Sequence, residues 1–164
     1  MVNSRQKGIR AERAVADMLN RHSGLTFEQT PGSGNGKIKG DLYLRHHVNR
    51  FLIEVKFYKD DALNSKIFTA KTNALVQWWT KAEKQASEVG LEPLLFFRAN
   101  HGKWFVGTQL VPSAPYMYIS FLDVYICQAE QWLETEKMEF SNGDRIYEPW
   151  KTAGDEESTD CRWP

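Results

Sequence analysis

Cysteine is scarce in this sequence, and long apolar runs are missing. The 164 residues contain two cysteines, Cys127 and Cys161, and no CxxC pair, so neither a disulfide framework nor a zinc knuckle is indicated. No run approaches the roughly 18 apolar residues of a membrane span. The first residues also lack the apolar stretch of a secretory signal. We therefore expect no membrane association and a cytoplasmic location.

The formal net charge is zero, but the charged residues are unevenly distributed along the chain. Residues 1–104 contain 17 Lys or Arg and 10 Asp or Glu, a balance of +7, whereas residues 105–164 contain 4 and 11, a balance of −7. A basic half suits a polyanionic partner, and an acidic tail is commonly a solvated appendage. Uneven scatter of surface charge is the alternative interpretation.

The first half of the chain alternates between periodic and turn-forming segments. Apolar residues at helical spacing predict a helix from Ser4 to a stop at Gly24. Four glycines among residues 31–40 predict a flexible loop. Around this loop we expect three strands, the last two forming a hairpin through residues 46–49: 25–30, 41–45 and 50–58.

The second half continues with similar elements. We expect a helix over 70–89, a hairpin of strands 93–98 and 104–107, one strand over 116–126 and a helix over 129–137. From about Ser141 the chain is polar and acidic. The pattern thus predicts one folded domain over residues 1–140 and an acidic tail over 141–164.

Glu54 and Lys56 stand two residues apart in an otherwise apolar predicted strand. Strand alternation directs both side chains to one face, opposite Phe51, Ile53, Val55 and Phe57. Buried charges are costly unless they are paired or bind an ion. The pair therefore indicates either a functional site or a simple salt bridge.

Asp41 opens the partner arm of the same predicted hairpin, so strand pairing can bring it beside Glu54. Two adjacent carboxylates repel each other unless a cation lies between them. Oxygen ligands suit Mg²⁺, with Mn²⁺ as a substitute. A turn or cap residue after Gly40 is the alternative role for Asp41.

The pattern Asp41…Glu54-Val55-Lys56 resembles the PD-(D/E)xK nuclease signature. Upstream, the segment 7–12, Lys-Gly-Ile-Arg-Ala-Glu, is similar to the first-helix motif of archaeal-type Holliday-junction resolvases. The resemblance implies catalytic roles for Glu12 and Ser33 beside Asp41, Glu54 and Lys56. It also implies metal contacts at Asp41, Glu54, Val55 and Glu12.

This resemblance covers residues 4–108 and implies an α/β fold with a restriction-endonuclease-like core. We expect a mixed central β-sheet flanked by helices, in the order αβββαβ. One departure is Gly40, which stands where the signature has proline.

The resemblance also implies a DNA partner, branched in structure. A homodimer is expected, because a four-way junction needs two symmetric cuts. Basic residues on the first helix and the glycine loop would contact phosphates, and one polar residue of the second helix would lie near the metal: Arg5, Lys7, Arg10, Lys37, Lys39 and Gln77.

The leading hypothesis is thus a Mg²⁺-dependent endonuclease that resolves Holliday junctions. One alternative keeps the chemistry and changes the substrate, as in a phage-like or restriction-type nuclease acting on duplex, flap or single-stranded DNA. The other is a binding module without catalysis. An anionic cluster facing phosphate argues against a pure binding module, because it would only weaken binding.

Overall fold

The computed structural model describes residues 4–31, 39–69, 72–136 and 138–142. Its elements follow the order α1 (Ser4–Ser23), β1 (Phe27–Gln29), β2 (Leu42–Leu44), β3 (Phe51–Tyr58), α2 (Ala74–Val89), β4 (Glu92–Ala99), β5 (Phe105–Thr108), β6 (Tyr116–Ile119), β7 (Val124–Gln128) and α3 (Ala129–Thr135). The predicted order αβββαβ is therefore confirmed. Ser33, Lys37 and all but the first two residues of the predicted tail lie outside the described residues.

Seven strands form one sheet in the order β1-β2-β3-β4-β5-β7-β6. β3 and β4 run parallel over their full lengths, whereas the other neighbours pair antiparallel. A parallel pair needs a crossover, which α2 supplies. The predicted mixed sheet flanked by helices is thus confirmed. Within the described ranges, no helix is long and apolar enough to cross a membrane.

Two apolar layers cover the faces of the sheet. On one face, α1 and α3 pack against alternate strand residues, among them Ile53, Val55 and Phe96. On the other face, α2 packs through Leu75 and Trp79. The indole Nε1 of Trp79, which is fully buried, donates to the carbonyl of Leu122 at 2.9 Å.

Two predicted elements were wrong in their boundaries. α2 begins at Ala74 rather than Ala70, because the Asn73 side chain caps it by accepting from the N–H groups of Leu75 and Val76 at 2.9 and 3.3 Å. The single strand predicted over 116–126 is instead the hairpin β6–β7. Its turn ends at Asp123 with φ of 47°, a left-handed conformation that aspartate tolerates.

After α3 the chain returns to the β2–β3 hairpin. The Arg50 N–H donates to the Phe140 carbonyl at 3.1 Å, and Asn142 donates to Val48 at 3.0 Å. The Phe140 ring is buried against Phe27, with ring centroids 5.1 Å apart. Residues 138–142 therefore brace the hairpin that carries the predicted site.

Candidate active site

The β2–β3 hairpin fixes Asp41 against the edge of β3. β2 and β3 pair only at Leu42 and Ile53, and the Asp41 N–H donates to the Ile53 carbonyl at 2.7 Å. The N–H of Val55, two residues further along β3, bonds to a side chain instead of a strand carbonyl. It donates to Oδ2 of the Asp41 carboxylate at 2.7 Å. The carboxylate is therefore held in place by the strand itself.

Lys56 joins Asp41 to Glu54. Its Nζ donates to Glu54 Oε2 at 2.6 Å, to Val55 O at 3.3 Å and to Asp41 Oδ2 at 3.4 Å. Burial lowers the pKa of Lys56, but the charges of Asp41 and Glu54 together outweigh it, so the pKa lies above its usual value. Lys56 thus remains an ammonium ion, and it compensates Glu54, which is only 6% exposed.

Glu12 reaches the same group from α1. The pKa of its carboxyl is raised, mainly because burial disfavours the charged form. A hydrogen bond from Gln29 lowers this pKa, as does the charge of Lys56, whereas the charges of Asp41 and Glu54 raise it. The structure therefore brings together Glu12, Asp41, Glu54 and Lys56, which we call the acidic cluster.

Gln29 is the neighbour that sequence reasoning missed. Its Nε2 donates to Glu12 Oε2 at 2.6 Å and to the Ile9 carbonyl at 3.3 Å. A polar residue at the end of β1 was visible in the sequence, but its partner depends on how β1 packs against α1. Gln29 thereby restrains the Glu12 carboxylate and links it to the backbone of α1.

Among the described residues, no three His, Cys, Asp or Glu side chains form a group that could hold a metal. In the acidic cluster the ammonium group of Lys56 lies between the carboxylates of Asp41 and Glu54. Yet the oxygens around its Nζ, from Asp41, Glu54 and the Val55 carbonyl, are the hard donors that suit a divalent cation. The residues therefore fit such an ion.

The predicted DNA-contacting residues lie in three places. Arg5, Lys7 and Arg10 are on α1, where Lys7 Nζ donates to Asn100 Oδ1 at 2.9 Å. Lys39 pairs with Glu88 of α2 at 3.8 Å. Gln77 is exposed on α2, and within the described part of the chain no hydrogen bond joins its side chain to the acidic cluster. The α1 residues are thus the ones that share an element with the cluster.

Comparison with known proteins identifies the family of this chain. Residues 3–141 match the family described as "Phage putative PDDEXK endonuclease". The chain belongs to this family and is a nuclease of the PD-(D/E)xK class, so the predicted class is confirmed. "Protein D14" of Escherichia phage T5 is 33% identical over 156 residues, which span 91% of this chain and 92% of that protein.

A solved structure is also similar: Hjc, a Holliday junction resolvase from Archaeoglobus fulgidus. It is 15% identical and covers 76% of this chain and 91% of its own, with a TM-score of 0.42.

Gly40 explains the departure from the proline of the signature. Its φ is +94°, which the proline ring cannot adopt because the ring fixes φ near about −65°. A Cβ at this position would lie 3.2 Å from the carbonyl oxygen of Ile53. Glycine thus allows the close approach that places Asp41 beside β3.

We predict that Gly40→Ala lowers the free energy of unfolding by about 1–3 kcal/mol, because it adds both strain and contact. Urea denaturation followed by circular dichroism measures this. Gly24→Ala is the matched control, since Gly24 also has a positive φ, +71°, but a Cβ there would meet no heavy atom within 4 Å. Equal losses in the two variants would contradict the role of the contact.

Glu12→Gln should stabilise the protein in a pH-dependent way. Because the folded pKa of Glu12 is raised above 4.5, the native state binds more protons than the unfolded state between those two values. Wild-type stability is therefore lost across that window as pH rises, whereas the glutamine variant has no such loss.

The measurement is the melting temperature of Glu12→Gln minus that of the wild type, in the presence of EDTA. We expect this difference to grow as the pH rises from 4.5 and to become constant above the raised pKa of Glu12. Glu134→Gln, at an exposed position of α3, is the control. A constant difference between wild type and Glu12→Gln across this range would show that the Glu12 carboxylate is not destabilised.

Proposed function

We propose that this nuclease is a metal-dependent endonuclease that hydrolyses DNA phosphodiester bonds, uses Mg²⁺ and accepts Mn²⁺. We propose further that it acts on branched DNA as a homodimer. The observation that carries the proposal is the Asp41 carboxylate, held by the Val55 N–H at 2.7 Å beside Glu54 and Lys56. This arrangement brings Asp41, Glu54 and Lys56 close together at the point where β2 stops pairing with β3.

Asp41, Glu54 and the Val55 carbonyl would hold the metal ion, with Glu12 completing the site. When bound, such an ion lowers the pKa of a water molecule and neutralises charge on a phosphate oxygen. Lys56, once released from the two carboxylates, steadies the attacking water or the scissile phosphate through its ammonium group. Gln29 keeps Glu12 in place during this exchange.

DNA as the substrate is supported by the charge of α1. Arg5, Lys7 and Arg10 precede Glu12 on that helix, so phosphates bound there lead toward the acidic cluster. A module that only binds DNA is disfavoured, because the cluster would repel phosphate. The second candidate is a phage-type nuclease acting on duplex, flap or single-stranded DNA, and the family match over residues 3–141 favours it.

The catalytic proposal predicts that Asp41→Asn reduces cleavage by about 100-fold or more, while DNA binding is retained or strengthened. Asparagine still accepts from the Val55 N–H but removes a negative charge near phosphate. The measurement uses a labelled four-way junction, a flap and a matched duplex, each with Mg²⁺ or EDTA. Their relative rates distinguish the two substrate candidates.

Asp17→Asn is the matched control, because Asp17 is exposed on α1. Undiminished cleavage by Asp41→Asn would contradict its role as a ligand. Failure of the wild type to cut any of these DNAs with metal would overturn the proposed function.

The homodimer is supported by the outer edge of the sheet. β6 is an edge strand, and Tyr116, Met117 and Tyr118 are 51%, 43% and 44% exposed there. Exposed apolar edge strands pair readily with other strands. Two copies related by a two-fold axis could therefore pair through β6.

We predict a mass of twice 19.0 kDa in light scattering for the wild type. Met117→Lys should shift the protein toward the monomer, because charge on an edge strand opposes pairing. Val111→Lys, at a 67% exposed position outside the strand, is the control. A monomeric wild type would refute the dimer.

A further inference from the structure

A cavity of about 370 Å³ lies among Lys7 and Arg10 of α1, Phe57 of β3, and Asn100 and His101 of the β4–β5 turn. α1 and β3 also carry members of the acidic cluster. Lys7 and Arg10 precede Glu12 on α1, and Phe57 follows Lys56 on β3 with its side chain on the opposite face, the one that α1 covers. Hydrolysis at the cluster requires no such cavity. The cavity shares α1 with Glu12 but lies on the other face of β3 from Glu54 and Lys56, so it is a separate site.

The cavity combines an aromatic surface with positive charge. Lys7 Nζ lies 4.2 Å from the centroid of the Phe57 ring, and Arg98 Cζ lies 4.7 Å from it. Asn100 Oδ1 accepts from Lys7 Nζ at 2.9 Å, which fixes the ammonium group at the rim. An aromatic ring with cations suits a base together with its phosphate better than an apolar ligand.

The size of the cavity suits a single nucleotide better than a base-paired DNA duplex. Its volume falls within the range of about 300–1,000 Å³ that is usual for small-molecule sites. A base inside a duplex cannot enter a concave site unless it leaves the stack, and that costs least for an unpaired base. A concave site of this size therefore suits an unpaired nucleotide better than a paired one.

The cavity and the acidic cluster are linked through α1. Lys7 lies five positions before Glu12 on this helix, which is about 7.5 Å along a helix axis. A nucleotide bound in the cavity would therefore lie near the proposed cleavage site.

We propose that this cavity binds one unpaired nucleotide of the DNA substrate. Its base contacts Phe57 and the side chains of Asn100 and His101, and its phosphate contacts Lys7 and Arg10. The proposal rests on the proposed DNA cleavage and deepens it: the substrate class is DNA with an unpaired nucleotide near the cut, as at a flap or an opened branch.

Two variants remove the cavity surface without removing its positive charge. Phe57→Leu keeps an apolar side chain but loses the ring. His101→Gly removes the imidazole and suits the backbone, because His101 has a φ of 60°. His22→Ala, at an exposed position near the other end of α1, is the matched control. Melting temperatures confirm that each variant is folded.

The experiment measures binding in EDTA, by fluorescence anisotropy, to a flapped DNA and to a fully paired duplex of the same length. We expect Phe57→Leu to weaken flap binding by about fivefold or more and His101→Gly to weaken it by a smaller factor, with duplex binding unchanged. If Phe57→Leu does not fold, His101→Gly alone decides. Equal effects on both DNAs, or none on either, would overturn the proposal.

A base analogue gives a second readout. 2-Aminopurine placed in turn at each unpaired position of the flap should become brighter on binding wild type at one position, where the base leaves its neighbours. No brightening at any position would also overturn the proposal. These binding measurements use no metal, so they do not depend on cleavage. If the protein cuts no DNA in the cleavage assay, the proposed function is rejected. If the protein binds the flap no better than the duplex, the proposed role of the cavity is rejected.

Discussion

The N–H group of Val55 needs a partner, and the candidate site depends on how that need is met. β2 ends its pairing with β3 at Leu42, so the next main-chain donor of β3 has no strand carbonyl opposite it. An unpaired donor at this depth is costly. The Asp41 carboxylate takes that place at 2.7 Å. The interaction that completes the sheet therefore also positions the signature aspartate.

Charge in the acidic cluster is balanced only in part. Lys56 compensates Glu54 and Asp41 at 2.6 and 3.4 Å, but the pKa of Glu12 is still raised. The ammonium group of Lys56 thus interacts with three carboxyl groups. It bonds directly to Asp41 and Glu54 and acts on Glu12 through its charge. Such a site stores electrostatic repulsion that a further cation can relieve, and this is a physical reason for it to favour divalent ions.

The part of the site that could be predicted consists of residues that lie close together in the sequence. Glu54 and Lys56 share a face because strands alternate, and one short hairpin brings Asp41 to them. Glu12 came only through its resemblance to a resolvase motif, because α1 packs across the sheet far from the hairpin in sequence. Gln29 could not be predicted at all, since its bond to Glu12 depends on that packing. Similarly, the β6–β7 turn was missed because one left-handed residue, Asp123, reverses a continuous apolar run.

After α3 the chain returns to the hairpin that carries the candidate site. Phe140 packs beneath the β2–β3 hairpin, and Ser141 forms an isolated bridge with Asn49 in its turn. The end of this segment thus closes a loop of about ninety residues onto the hairpin, a closure whose entropic cost grows only slowly with length. Opening of residues 138–142 and loosening of the hairpin should then be one cooperative event. Residues 138–142 are in that sense a clamp on the hairpin that carries the candidate site.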